Sequence, residues 1–351
     1  MKRLIGGINL KGILAFWFYS VLLTVLPTES AERQIRVNLG TIAPRGSSHY
    51  QTLMAMREKW RNAPGGGVNL VIYPDGIQGG EADMVRLMRI GSLQSALLSI
   101  QGLTDIESGV KVFNSIPMVF RNFDELDFVS EKLRPKLEER ILKKGFVVLF
   151  WGDTGWIKYF SKQPIIQPED LKKMKIFVWS GSPVQVKVIH QAGYYPVPLE
   201  TSEIIPGLQT GLINVIAVPP IFALAGQLDN LAPHMLELNW APLVGALVIR
   251  SSTWNKIPDE TKKILLSSTA IAGKEMKVNG RKEGYDSVDA MVKRGLTVHN
   301  ITPEIEEEWR ETIVQTIYPR IRGHLVDVDL FDEVIQLLQE YRTLIKEEKS
   351  E

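Results

Sequence analysis

Apolar and polar positions alternate in short runs separated by turn residues, and the runs switch repeatedly between strand and helix periods. Ile35–Ala43 alternates weakly and reads as a first strand. Pro44–Ser48 turns into a helix over Tyr50–Asn62, Pro64–Gly67 is a turn, and Val68–Tyr73 is a second strand. Gly79–Gly80–Glu81 introduces a helix with Met84, Leu87 and Met88 on one face, and Ser95–Ser99 is a short apolar strand. Gly145–Asp153 is an unbroken apolar run suited to burial on both faces. It continues through Trp156–Ser161, about as long as two ordinary strands. Ile176–Trp179, a strand ending in Val197–Pro198, and Asn214–Val218 follow, with helices between them. Val244–Ser251 is a further strand, and Asp259 caps a helical segment reaching about Lys293. At 1.5 Å per residue that segment spans roughly 50 Å. Gly273, Gly280 and Gly284 weaken it, so a bend or break is expected there. Leu296–Asn300 is a late strand, and Glu304–Ile321 and Asp332–Glu347 are closing helices. This alternation predicts an α/β fold.

The first thirty residues carry an export pattern. Lys2, Arg3 and Lys11 precede an apolar run over Ile13–Leu26, and Pro27–Ala31 is a small and polar exit. The run is shorter than the roughly 20 residues a membrane span needs. Cleavage is expected near Ser30 or Ala31, with retention as an N-terminal anchor as the alternative. No cysteine occurs, which excludes disulfides and a lipoprotein anchor, and an exported, cysteine-free chain fits a bacterial periplasm. The remaining chain holds 38 basic and 39 acidic side chains, too balanced for a nucleic-acid footprint. The long uncharged stretch Ile204–Leu228 contains three prolines and reads as a buried helix, strand and helix rather than a membrane span.

Catalytic and metal chemistry find little support. The histidines His49, His190, His234, His299 and His324 show no ligand spacing, and neither H-E-x-x-H nor G-x-S-x-G occurs. Trp179–Ser180–Gly181–Ser182 is a turn with helix-capping serines, and Pro64–Gly67 precedes a strand and is no phosphate loop. The chain is therefore read as a non-enzyme without cofactor or metal.

Three segments carry a resemblance: DLKKMKIFV at 170–178, AGYYPVPL at 192–199 and LQTGLINVIAVPP at 208–220. Together they resemble the solute-binding proteins of TRAP transporters, the DctP type, whose usual wording is close to DLKGLKIRV, GxSPVPL and LQTGxVDGxENP. The GGE helix start, Ser95–Ser99, and Ile116–Phe120 followed by Asn122–Glu125 resemble that family in order and spacing. The resemblance implies a two-lobed periplasmic binding protein fold with a ligand cleft between the lobes. It implies lobe I from 32–153 plus 244–258 and lobe II from 154–243 plus 294–322. A helical segment, 259–293, and the strands are shared across the hinge, and residues 323–351 form a C-terminal helical tail. Residues 1–31 are the signal peptide.

In that family the arginine of KIRV holds a substrate carboxylate. Here Phe177 replaces it, and Ala217 and Val218 replace the glutamate and asparagine of the last element. Taken alone, Phe177 is an ordinary core aromatic; the resemblance places it facing the cleft. Trp179, two residues on, shares its face. Trp156 aligns with a second basic residue of the family. Val218, Pro219, Pro220 and Phe222 form the opposite wall by analogy, and Trp240 and Leu243, just before the return strand, extend it. His49, Gln185 and Ser182 are candidate polar orienters. Lys158 is read as a solvated strand lysine. The implied function is capture of an apolar or amphipathic small molecule for a TRAP membrane permease pair, with a helical-repeat periplasmic protein as a further partner. Two alternatives stay open: a carboxylate binder that recruits Lys158 or Arg45, and a lipid-shuttling or sensor-input protein without a permease.

Overall fold

Nine strands join in one mixed sheet in a computed structural model that describes residues 34–348. The export pattern at 1–31 and the last three residues lie outside the described residues. The strands are β1 (Ile35–Thr41), β2 (Val68–Tyr73), β3 (Ser95–Ser99), β4 (Phe146–Ser161), β5 (Lys175–Trp179), β6 (Tyr195–Leu199), β7 (Val215–Val218), β8 (His234–Arg250) and β9 (Thr297–Asn300). Their order is β2-β1-β3-β8-β4-β7-β5-β6, with β9 added to β8. β1, β2 and β3 are mutually parallel, as are β5, β6 and β7. The two parallel groups are joined only through the antiparallel pair β4–β8.

That pair is the spine. β4 has 16 residues and β8 has 17, and β8 begins ten residues before the expected return strand. Trp240 and Leu243 therefore lie within the strand and not ahead of it. The first half of β4 pairs with Val244–Arg250 beside β3, and the second half pairs with His234–Pro242 beside β7. The register slips between Asp153 and Trp156, where Gly155 sits at φ +91°. A side chain is strained at that angle, so glycine allows the strand to turn from one half into the other.

Strand alternation sends successive side chains to opposite faces. Phe150 joins Val37, Leu53, Trp60, Leu247 and Met276 under the first helix (Ser48–Arg61) and the long helix (Asp259–Val292). Trp151 instead joins Phe113, Leu133, Tyr159, Ile176 and Trp309 on the other face. A third cluster, with Phe160, Leu208, Ile213, Ile216 and Met291, fills the β5–β7 half on the long-helix side.

The long helix is unbroken over 34 residues, so of the bend or break expected at its glycines the break does not occur. Its glycines are contact points. A Cβ at Gly273 would stand 2.9 Å from Phe150 Cβ, and one at Gly280 would stand 2.6 Å from the Asp153 carbonyl oxygen. Three interior glycines cost about 3 kcal/mol of helix propensity, which close packing on β4 offsets. Trp60 is fully buried and donates from Nε1 to Ser268 Oγ at 3.0 Å, tying the first helix to the long one.

The C-terminal helix (Val328–Glu348) is packed down by Leu330, Phe331, Val334 and Leu338. Arg342 meets Glu125 with two bonds of 2.7 and 2.8 Å, and Lys136 meets Glu333 at 2.6 Å. Glu125 is only 3% exposed. Arg342→Met leaves that carboxylate without its cation, a loss of about 3 kcal/mol. The melting temperature should fall by roughly 5–10 °C, and the double variant with Glu125→Gln should recover part of it. A melt within a degree of the parent protein would show that the clamp contributes nothing.

Candidate functional site

The crossing point of β4 carries the site. Beyond the Gly155 turn, Trp156 stacks on Phe123 with ring centroids 4.9 Å apart and planes 26° apart. The Arg281 guanidinium covers Phe123 at 4.0 Å. These groups border a cavity of about 150 Å³. Its apolar wall is Phe123, Trp156, Pro220 and Val288; its polar wall is Lys158, Glu237, Arg281 and Asp289, with Tyr285 also lining it. The lining comes from β4, β8, the long helix, the short helix Pro220–Ala225 and the start of the helix Phe123–Lys143.

Lys158 is buried at 5% exposure and is not solvated. It donates to Glu237 and, at 2.9 Å, to Asn239 Oδ1. Burial lowers its pKa, and Glu237 and then Glu306 oppose that shift. Arg281 reaches Asp127 at 2.7 and 2.9 Å and Asp153 at 2.8 and 3.0 Å, while Lys277 adds a 2.9 Å bond to Asp127. Burial opposes the Arg281 charge, but its bonds to Asp127 and Asp153 hold its pKa above the ordinary value. Burial also works against Asp127, and its bonds to Arg281 and Lys277 outweigh it, leaving its pKa below the usual carboxylate range. An arginine thus stands at the cavity, and both of its edges are taken by carboxylates.

Of the residues singled out from sequence, Trp156, Lys158 and Pro220 line this cavity. Phe177 and Val218 pack instead on the cluster around Phe160 and Ile216, together with Val197 and Leu199. Val218 faces Lys158 across the β4–β7 ladder. The Trp179 ring lies against Gly181, where a Cβ would come within 2.3 Å of it. Pro219 caps the short helix and is buried, and Phe222 is exposed. Trp240 meets Tyr159 edge-on at 4.9 Å. Ser182 makes no side-chain cap bond, and Gln185 is half-buried on the helix that follows; Ser180 Oγ donates to Glu200. His49 lies beside the long helix, with its Cε1 3.3 Å from where a Gly280 Cβ would stand. Burial lowers its pKa, with Glu283 and Asp153 opposing. Phe123, Glu237 and Arg281 carried no sequence signal. Their meeting depends on how a long helix is registered on a strand more than a hundred residues earlier.

Among the described residues no group of three or more side chains is arranged to hold a metal, and no helix is long and apolar enough to cross a membrane.

Residues 39–322 match the DctP family model, described as bacterial extracellular solute-binding protein, family 7. The chain belongs to the DctP family. This DctP-family protein is 22% identical over 276 residues to the C4-dicarboxylate-binding periplasmic protein DctP of Rhodobacter capsulatus, covering 77% of this chain and 79% of that relative. Its fold matches a TRAP periplasmic solute binding protein from Ochrobactrum anthropi with a TM-score of 0.79 at 19% identity, covering 89% of this chain and 97% of the other. It also matches one from Sulfurospirillum deleyianum, with bound succinate, at a TM-score of 0.74 and 21% identity, covering 87% and 98%. The mixed sheet and its helices are those of the two-lobed TRAP binding proteins, and the DctP-family protein is a periplasmic solute-binding protein rather than an enzyme.

The ionic lock of the DctP-family protein sets its acid response. A carboxyl with a folded pKa below the unfolded value gives stability that is present above the unfolded value and lost as pH falls through the folded one. Asp127 behaves so. His49, also depressed, adds a loss that begins as pH falls below about 6.5. Arg281→Met should lower the melting temperature most at pH 7–8, by about 3 kcal/mol equivalent. The gap to the parent should narrow below about pH 4, where the carboxylates take up protons in both proteins. Melts recorded across this range test it; a gap independent of pH would rule the lock out as the source.

Proposed function

We propose that this protein captures a small amphipathic molecule in the periplasm and delivers it to a TRAP membrane permease pair. The apolar body rests on Trp156 and the polar end lies among Lys158, Glu237 and Arg281. One observation carries this reading: each cation lining the cavity already has its carboxylate. Lys158 has Glu237, and Arg281 has Asp127 and Asp153. An incoming carboxylate must break one of these pairs, and leaving a buried charge unpaired costs about 3–5 kcal/mol. Phe177, at the place where the resemblance puts the carboxylate-holding arginine, contributes no compensating charge.

Capture works by a shift between open and closed lobes. The ligand has to bind the closed arrangement better, or it moves nothing. β4, β8 and the long helix are the segments that flex, because they alone run through both halves of the sheet's long axis. Export through the 1–31 signal belongs to the same proposal. So does a helical-repeat partner, for which the C-terminal helix offers its outer face, the inner one being packed.

A second reading has its own support. Related structures hold succinate, L-gulonate and glucuronate. Lys158 borders the cavity with two of its three N–H groups assigned, so it has one donor to give a carboxylate.

Ligand extracted from freshly purified protein and identified by native mass spectrometry tests both. Succinate and glucuronate should leave the melting temperature unchanged, while the extracted compound raises it and reduces the radius of gyration in small-angle scattering. Trp156→Ala should weaken its binding roughly ten- to hundredfold, from the loss of about 1.5–3 kcal/mol of aromatic contact. A shift of several degrees with succinate that Lys158→Met abolishes would establish the carboxylate reading instead.

A further inference from the structure

We infer that the polar end of the ligand is a cation, and that the site takes a small amine carried on an apolar or aromatic body. The inference rests on the amphipathic reading above and sharpens it. It begins from which partner of each ion pair faces the opening. The Lys158 side chain is 7% exposed and its partner Glu237 is 38% exposed. The Arg281 side chain is 18% exposed, against 37% for its partner Asp127. In the Lys158 pair the cation sits behind and the carboxylate in front, whereas Arg281 lies between Asp127 and the buried Asp153, 2% exposed. Asp289, also on the cavity wall, is exposed. The carboxylates that a group entering the cavity meets on its wall are Glu237 and Asp289.

The balance of charge points the same way. On the wall Lys158 and Arg281 balance Glu237 and Asp289; adding Asp127 and Asp153 bonded to Arg281, and Lys277 bonded to Asp127, leaves one acid in excess. Glu283, on the same stretch of the long helix, faces Ser48 and His49 and does not line the cavity. A cation supplies the missing positive charge, whereas an anion adds to the excess.

The apolar wall suits the rest of such a molecule. Phe123 has one face on Trp156 and the other under Arg281, which leaves Trp156 to offer its remaining surface. Indole is the best aromatic partner for a cation, at about 0.5–2 kcal/mol. The cavity of about 150 Å³ matches in size an apolar cavity known to hold benzene. It encloses one ring or a short chain with its head group.

Three probes of equal size and different charge separate the outcomes: benzylamine, benzyl alcohol and benzoate at pH 7, titrated into the exported protein by calorimetry and thermal shift. Benzylamine should bind at least tenfold more tightly than benzyl alcohol, and benzoate should not bind. The advantage of the amine should shrink as salt is raised. Glu237→Gln should weaken benzylamine about tenfold more than it weakens benzyl alcohol. If that variant does not fold, the ranking of the three probes on the parent protein still decides. Equal binding of amine and alcohol overturns the cation and leaves the amphipathic pocket standing. Tightest binding of benzoate overturns the cation and favours the carboxylate reading. No binding of any probe removes both the cation and the aromatic pocket.

Discussion

Arg281 holds the molecule's two long elements to each other. Its guanidinium bridges Asp153 on β4 and Asp127 on the helix Phe123–Lys143, and its flat face covers Phe123. A planar fork with five donors can do all three at once, which a lysine cannot. Beside this clamp Gly280 lets the long helix touch β4 at the Asp153 carbonyl, and Gly284 lines the cavity. Phe123 is fixed between Trp156 and the guanidinium, so the aromatic wall is preformed.

The same clamp removes the arginine from service as a ligand anchor. A guanidinium engaged by two carboxylates in a partly buried setting gives little to a third. Lys158 is in a similar position with Glu237 and Asn239. The site therefore keeps positive groups of the kind its relatives' acidic ligands would need, but spends them on internal pairs. The cavity wall presents Trp156 and Phe123 beside Glu237, Asp289 and the remaining Lys158 N–H.

Much of the fold was legible in the chain. The double-length apolar run at 145–161 announced β4, because no ordinary strand needs that length. The βαβ alternation over 168–220 set the second parallel group. Trp156 was singled out because it aligns with a second basic residue of the family, and it lies just past the Gly155 turn on the cavity wall. Lys158 was misjudged because burial of a lone lysine depends on a partner, and Glu237 lies 79 residues away. The long helix was expected to break at glycines whose cost is local, while the gain from close contact with Phe150 and Asp153 is tertiary. Trp240 and Leu243 were set just before the return strand, and the ladder to β4 carries the strand through them.

Sequence alone determined the α/β class, the order of the elements and the family resemblance, since each is written in local periodicity or in motif residues close together along the chain. Tertiary structure decided which charges meet. The pairing of Arg281 with Asp153, of Lys158 with Glu237 and of Phe123 with Trp156 depends on the register of a helix against a strand and on which face each side chain takes. Coulomb and stacking energies fall off over a few ångströms, so only the assembled fold fixes whether a lysine is free, a carboxylate exposed or an aromatic ring open to a ligand.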